Sequence, residues 1–235
     1  LVDVGGESTR PYASPVDAAT ELARVLPVVE GLATEGVVVS VDTSKPEVAR
    51  AALDAGAAVI NDVTGMGDPE MRAACAASGA GVVIMHMQGT PETMQDDPDY
   101  DDVVGEVATF LLGRTRRALE SGISLEAIAI DPGIGFGKSF DNNLDLMRGL
   151  DRFVHLGYPV LVGTSRKGFL GTILEPVRGP TEAADRDGAT AASVAAAVLA
   201  GAHILRVHDV RLGVEVAVTA KAMVPNSHDE ETHRT

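Results

Sequence analysis

Short, almost continuously apolar runs recur along the chain and alternate with helical patterns. This repetition narrows the fold more than any other feature. The runs are LVDV from Leu1, VVVSVD from Val37, AAVINDV from Ala57, GVVIMHM from Gly81, AIAID from Ala127, PVLVGTS from Pro159 and ILRV from Ile204. Strands with one wet face alternate apolar and polar residues, whereas strands covered on both faces stay apolar throughout. Helix signals lie between the runs. Ser14-Pro15 reads as an N-cap and first-turn proline before VDAATELARVLPVVEGLA, Ser44-Lys45-Pro46 opens EVARAALDAG, and Asp68-Pro69 opens EMRAACAASG. VVGEVATFLLGRTRRALESG, NNLDLMRGLDRFVHLG, GATAASVAAAVLAG and VRLGVEVAVTAKAM follow as further helices. Strand–helix repetition of this kind makes a parallel sheet, either open and doubly wound or closed into a barrel.

The polar residues that end each run decide between the two. They are Asp3 with Glu7, Asp42-Thr43, Asn61-Asp62, His86, Asp131, Ser165-Arg166-Lys167, and Arg206 with His208. An open sheet binds at one switch point and uses the ends of two or three strands. Polar groups at every strand end suit a barrel, whose active site is built at its C-terminal mouth. The expected fold is therefore an α/β TIM (β/α)₈ barrel with seven of its eight units in this chain. It would occupy residues 1–224, followed by a polar tail at 225–235. Because Leu1 already lies in a strand-like run, the reading also expects one βα unit of about 40–50 residues ahead of it.

Composition excludes several classes of partner. Asp and Glu outnumber Lys and Arg by 34 to 19, a net charge of −15 that repels nucleic acid and anionic membrane. A single cysteine, Cys75, excludes an intramolecular disulfide and fits a reducing cytoplasm. No run of 18 apolar residues suggests a membrane span. Tryptophan is absent and aromatics make up 3%, so Ala, Val, Ile and Leu must build the core.

The string DPGIGFGKS at Asp131–Ser139 looks at first like a P-loop, but Pro132 stands where the first glycine of that pattern belongs. The plainer reading is a glycine-rich strand-to-helix turn with Asp131 at its mouth. His203 and His208 are five apart across a strand and point to opposite faces, so they cannot share a metal. His86 stands alone at its strand end, and His155, His228 and His233 read as solvated. Cys75 reads as core. Asp42, Asn61 and Asp131 are more telling. Buried carboxylates are costly unless donors reach them, and structural ion pairs could supply those donors for any one of them. Three together suit a planar heterocycle with several N–H donors along one edge, such as an aminopyrimidine. Lys167 and Arg206 add donors for carbonyl or anionic oxygens, and Arg206 with His208 forms a local cationic spot suited to pyrophosphate.

Together these strings resemble a known family. DVGGESTRP at Asp3–Pro11, VDT at Val41–Thr43, IND at Ile60–Asp62, DPGIGFGK at Asp131–Lys138, GTSRK at Gly163–Lys167 and RVHDV at Arg206–Val210 are similar, in order and over nearly the whole chain, to dihydropteroate synthases. The resemblance implies a barrel that joins 6-hydroxymethyl-7,8-dihydropterin pyrophosphate to 4-aminobenzoate and releases pyrophosphate, with Mg²⁺ assisting. It implies that Asp42, Asn61, Asp131 and Lys167 hold the pterin ring while Met85 and Phe136 line its faces. Arg206 and His208 would bind pyrophosphate. Thr9, Arg10 and Pro11 would belong to a mobile loop over the aminobenzoate, with Ser165 and Arg166 beneath it. The family's N-V-T-P-D-S-F loop, whose Asn helps ligate Mg²⁺, has no counterpart here, so no metal ligand is expected from this chain. Restoring that loop is expected to raise turnover at least about 10²-fold. Homodimers are expected by the same resemblance.

Two other functions share parts of this pattern. A pterin-binding, cobalamin-dependent methyltransferase domain has a similar Asp/Asn ring site but no pyrophosphate to hold, so Lys167, Arg206 and His208 argue against it. A pterin-binding chain without turnover is the other. Cobalamin-dependent methyl transfer, or its absence, discriminates the first, and calorimetric titration with a dihydropterin pyrophosphate tests the second.

Overall fold

All seven apolar runs are strands in the computed structural model, which describes residues 1–224. They are β1 (Val2–Gly5), β2 (Val39–Asp42), β3 (Val59–Asp62), β4 (Gly81–Met85), β5 (Ile128–Asp131), β6 (Leu161–Val162) and β7 (Ile204–Leu205). Strands β1 to β5 pair side by side in chain order, all parallel, and β6 pairs with β7 in the same sense. A single parallel bridge from Ile130 to Val160 links β5 to the entry of β6. The spatial order never reverses, so the sheet has no switch point of the doubly wound kind. It curls instead. Arg206, just past β7, reaches back to Asp3 in β1 with Nε 2.7 Å from Oδ2. The first and last strands therefore face each other across a cylinder, joined among the described residues by side chains rather than by a ladder.

Nine helices of the described residues clothe this sheet: α1 (Ala18–Thr34), α2 (Pro46–Asp54), α3 (Pro69–Ser78), α4 (Val103–Glu120), α5 (Phe140–Arg148), α6 (Leu150–Val154), α7 (Gly168–Arg178), α8 (Asp187–Leu199) and α9 (Val210–Ala222). The starts of α2 and α3 match the sequence signals, with Pro46 and Pro69 at the first helical positions and Asp68 accepting from the Glu70 amide. The start of α1 does not. Asp17, rather than Ser14, caps it, because its two oxygens take the Thr20 amide and hydroxyl at 2.8 and 2.9 Å. The amide of Val16 is already engaged by the Glu7 side chain, which keeps residues 15 and 16 in the loop. NNLDLMRGLDRFVHLG is broken in two at Gly149, where a Cβ would press on both Val104 methyls at 3.1 Å. Helix α7 was not expected: Gly168, Gly171 and the internal Pro176 dilute its pattern.

Strand parity sets the two sides of the sheet. Val39, Val41, Ile60, Val82, Ile84, Ile128, Ile130 and Val162 face outward into the main core, where they meet Val25, Val29, Leu111, Leu146 and Phe153 from the helices. Each such side chain taken from water contributes about 1.5–3 kcal/mol. Cys75 lies fully buried in this core, as expected. The opposite parity places Val83, Ala129 and Leu161, flanked by Val59 and Ile204, inside the cylinder as its floor. The tail at 225–235, with His228 and His233, lies outside the described residues.

Candidate active site

The floor residues settle where the polar strand ends point. Asn61 is two residues beyond Val59, Met85 two beyond Val83, and Asp131 two beyond Ala129, so all three side chains share the inward parity. Register then makes neighbours of them: Asp42 pairs with Asn61, and Met85 with Asp131. All four are less than a tenth exposed. The expected convergence of Asp42, Asn61 and Asp131 above an apolar floor is thus built from period-two alternation alone.

Asp3 is the hub of the β1–β3 side, a role the strand-end pattern flags without supplying a partner. Its Oδ1 accepts from Ser40 Oγ at 2.7 Å, and its Oδ2 accepts from Arg206 Nε at 2.7 Å and Asn61 Nδ2 at 3.3 Å. Arg206 Nη2 stands 3.5 Å from Asp42 Oδ2. Arg206 is therefore shared between two carboxylates, while 47% of its side chain stays open to solvent above them. Burial, reinforced by the Asp3 charge and opposed by Arg206, pushes the Asp42 carboxyl up to about 7. The neighbouring Asp62 has the outward parity and a different task. Its carboxylate caps the turn after β3, accepting from the Thr64 amide and hydroxyl at 2.8 and 2.7 Å and from the Met66 amide at 2.9 Å.

The glycine-rich turn after β5 is a wedge against the exit of β4. Gly133 has φ +68°, and a Cβ there would sit 1.8 Å from the His86 carbonyl oxygen. Its amide donates to Asp131 Oδ1 at 2.7 Å and fixes that carboxylate. Burial raises the Asp131 carboxyl, with the Lys167 ammonium and the Gly133 amide pulling the other way. Lys167 Nζ donates to the Ile134 carbonyl and lies 4.4 Å from the centre of the Phe136 ring. Burial lowers it to about 8 although Asp131 opposes the fall. Lys138, the lysine of the P-loop-like string, holds no phosphate cradle. It is buried, with Nζ 3.0 Å from His86 Nδ1 and 2.8 Å from the Phe136 carbonyl, and burial drops it to about 7. His86 is accordingly not alone at its strand end. Burial and then the Lys138 charge push it down to about 3, and its ring packs edge-on to Phe110 at 4.7 Å.

At the ends of β6 and β7, Ser165 Oγ lies 2.8 Å from His208 Nδ1. His208 is lowered by burial and by the surrounding Arg166, Arg206 and Arg10 charges, with Asp187 opposing them. Arg166 sits at φ +60°, in the left-handed region that a bulky residue enters only when held there. The N-terminus of α8 holds it: Asp187 takes its guanidinium through two bonds at 2.8 and 3.0 Å, Thr190 accepts from its amide, and Arg186 donates to its carbonyl. The Arg166 side chain is thus committed to Asp187. Thr9, Arg10 and Pro11 lie in the loop after β1, and the next residue, Tyr12, donates its amide to the Pro91 carbonyl at 3.1 Å.

A protein-held metal does not fit these side chains. Both Asp3 oxygens are occupied, and among the described residues no three His, Cys, Asp or Glu side chains are grouped to hold an ion.

The model of the family described as Pterin binding enzyme matches residues 1–208. A dihydropteroate synthase of Escherichia coli K12 is 46% identical over 223 residues, 94% of this chain and 77% of the relative. The chain belongs to the dihydropteroate synthase family. Solved structures agree: dihydropteroate synthase from Thermus thermophilus in complex with 4-aminobenzoate superposes with a TM-score of 0.86 at 45% identity, covering 94% of this chain and 84% of that one. The Yersinia pestis dihydropteroate synthase with a sulfonamide drug complex gives 0.89 at 40% identity, covering 94% and 79%. The barrel expected from the strand ends is therefore the fold of the family, and the chain is a transferase by that membership.

Sequence reasoning left out Asp3 as hub, Asp62 as turn cap, the Lys138–His86 pair, and a charge cluster of Glu7, Lys45 and Glu21. Parity in LVDV could have placed Asp3 inside, two residues before the inward Gly5. Asp62 caps a turn only two to four residues on, so its signal is local, whereas the Lys138–His86 pair and the Glu7, Lys45 and Glu21 cluster depend on partners far along the chain and carry no local signal.

Proposed function

We propose that this chain condenses 6-hydroxymethyl-7,8-dihydropterin pyrophosphate with 4-aminobenzoate, giving 7,8-dihydropteroate and pyrophosphate, and that sulfonamides compete for its aminobenzoate site. The observation that carries the reading is the shared inward parity of Asp42, Asn61 and Asp131 beside Lys167 and Arg206. In this reading the acceptors on Asp42, Asn61 and Asp131 take the N–H groups along the pterin edge, and Lys167 donates to the ring carbonyl. Met85 and Phe136 close on the ring faces. The methylene C–O bond breaks with its electron pair leaving on pyrophosphate. Positive charge then spreads into a ring already flanked by carboxylates, which favour it more as it grows. Arg206, through its open edge, and His208 take the departing anion, which would restore the charge on a lowered imidazole. The aminobenzoate amine forms the new C–N bond and sheds a proton, so no side-chain nucleophile is required.

The aminobenzoate would lie over Ser165 and Arg166 and under Thr9, Arg10 and Pro11. Arg166 would act there through its clamped backbone rather than its guanidinium. The family's Mg²⁺ finds no cage among the side chains of the described residues. Hard cations of this type are commonly carried by substrate phosphates with few protein ligands. The same reading treats 1–224 as one domain with a tail at 225–235, and places the protein in the cytoplasm as a homodimer. No helix of the described residues is long and apolar enough to cross a membrane.

Pyrophosphate release measured with both substrates tests the reaction. Release should require 4-aminobenzoate, and Asp131→Asn should lower kcat/KM by about 10²–10³-fold. Release independent of 4-aminobenzoate, or methyl transfer to cobalamin, would overturn it.

A further inference from the structure

The loop that carries Thr9, Arg10 and Pro11 is held at its base by charges outside the proposed binding site. Lys45 Nζ lies 2.5 Å from Glu7 Oε2 and 2.6 Å from Glu21 Oε2. The other Glu7 oxygen, Oε1, accepts from the Val16 amide at 2.8 Å. One side chain thereby closes the segment from Glu7 to Val16 into a loop and ties it to the strand β2 exit through Lys45. Glu21, in the first turn of α1, is fully buried, and among the described residues its Oε1 has no hydrogen-bond partner. A buried carboxylate with an unsatisfied oxygen is costly and is hard to explain by packing alone. Its one charged partner, Lys45, gives it a purpose. Burial disfavours the Lys45 ammonium, yet the bonds to Glu21 and Glu7 more than offset this and raise it above its ordinary value. The chain just before Glu7 is pressed on the same helix, since a Cβ on Gly6 would meet Glu21 Cγ and Val25 Cγ2 at 2.8 Å, and Arg24 donates to the Gly6 carbonyl. The tip is tied far less firmly, its one backbone bond to another loop among the described residues being Tyr12 to Pro91.

We propose that Glu7 and Lys45 are positioning residues, anchored on buried Glu21, that fix the base of this loop so that Thr9, Arg10 and Pro11 come down on 4-aminobenzoate. The assignment of that tip to 4-aminobenzoate rests on the function proposed above. The clamp holds both ends of the Ser8–Pro15 span. Glu7→Gln keeps an acceptor for Val16 but removes the charge facing Lys45. Lys45→Met removes the bridge, and Lys45→Arg keeps it.

Hydrogen exchange over residues 6–16 and steady-state kinetics with each substrate varied in turn test this on the same proteins. Glu7→Gln and Lys45→Met should each speed amide exchange at Val16 and its neighbours by about tenfold. They should raise KM for 4-aminobenzoate by about tenfold and leave KM for the dihydropterin pyrophosphate within about twofold. Lys45→Arg should return both readouts toward wild type. Unchanged exchange in the first two variants would overturn the clamp. Faster exchange with an unmoved aminobenzoate KM, or an equal rise in both KM values, would overturn the positioning role. A wild-type chain showing no aminobenzoate-dependent release would refute the proposed reaction, while exchange at Val16 would still decide the clamp.

Discussion

Replacing Gly133 by alanine puts a single methyl group where the backbone of another strand already lies. Three costs can be separated. The residue sits at φ +68°, where an L side chain is penalised by roughly 1–2 kcal/mol. The new Cβ would stand 1.8 Å from the His86 carbonyl oxygen, which is backbone and cannot rotate away, so the turn must retreat by more than an ångström. Forced overpacking of this kind costs about 1–3 kcal/mol. Retreat also draws the Gly133 amide from Asp131, and a hydrogen bond to a charged group contributes about 1.5–3 kcal/mol. Allowing for overlap among these costs, Gly133→Ala should lose at least about 3 kcal/mol in urea unfolding, or roughly 6–12 °C in Tm for a chain of this size. Gly36→Ala is the control, because Gly36 has φ +74° and nothing within 4 Å of its Cβ position. It carries the backbone cost alone and should lose about 1–2 kcal/mol. If the two variants fall within about 1 kcal/mol of each other, the wedge reading of the glycine-rich turn is wrong.

Asp42→Asn should stabilise the unliganded protein at about pH 8 and have little effect near about pH 4. A carboxyl raised from 3.8 to about 7 keeps its proton in the folded chain while the unfolded chain has lost its own, so stability falls as pH rises through that window. The rise corresponds to an upper limit on the order of 4 kcal/mol, and equal unfolding midpoints for variant and wild type at both pH values would refute it. Asp62→Ala strips the Thr64 and Met66 amides of their acceptor beneath a residue held at φ +55°. It should cost about 2–4 kcal/mol, and a loss below about 1 kcal/mol by urea titration would show that Asp62 does not hold the turn.

Where strands lie, and which of their residues face the cylinder axis, could be read along the chain. Runs such as AAVINDV are local, and period-two alternation within them places Asn61 inside and Asp62 outside once any one neighbour is known to be floor. Helix starts could be read where proline and a cap coincide, as at Asp68-Pro69, and were misread at Ser14-Pro15 because the deciding bond comes from Glu7. Helix α7 escaped for the opposite reason: packing holds a segment whose glycines and proline argue against it.

The sequence by itself determined the alternation of buried strands and amphipathic helices, the gathering of Asp42, Asn61 and Asp131 at one mouth, and the family. These depend on spacing along a few residues, where backbone geometry leaves one answer. Only the tertiary structure decided that Arg206 is shared by Asp3 and Asp42, that Arg166 is bent back onto Asp187, and that Lys45 ties Glu7 to Glu21. Arg206 and Asp3 are 203 residues apart. A pairing across that distance is chosen by barrel closure, because charge interactions act through space and leave no periodic trace in the chain.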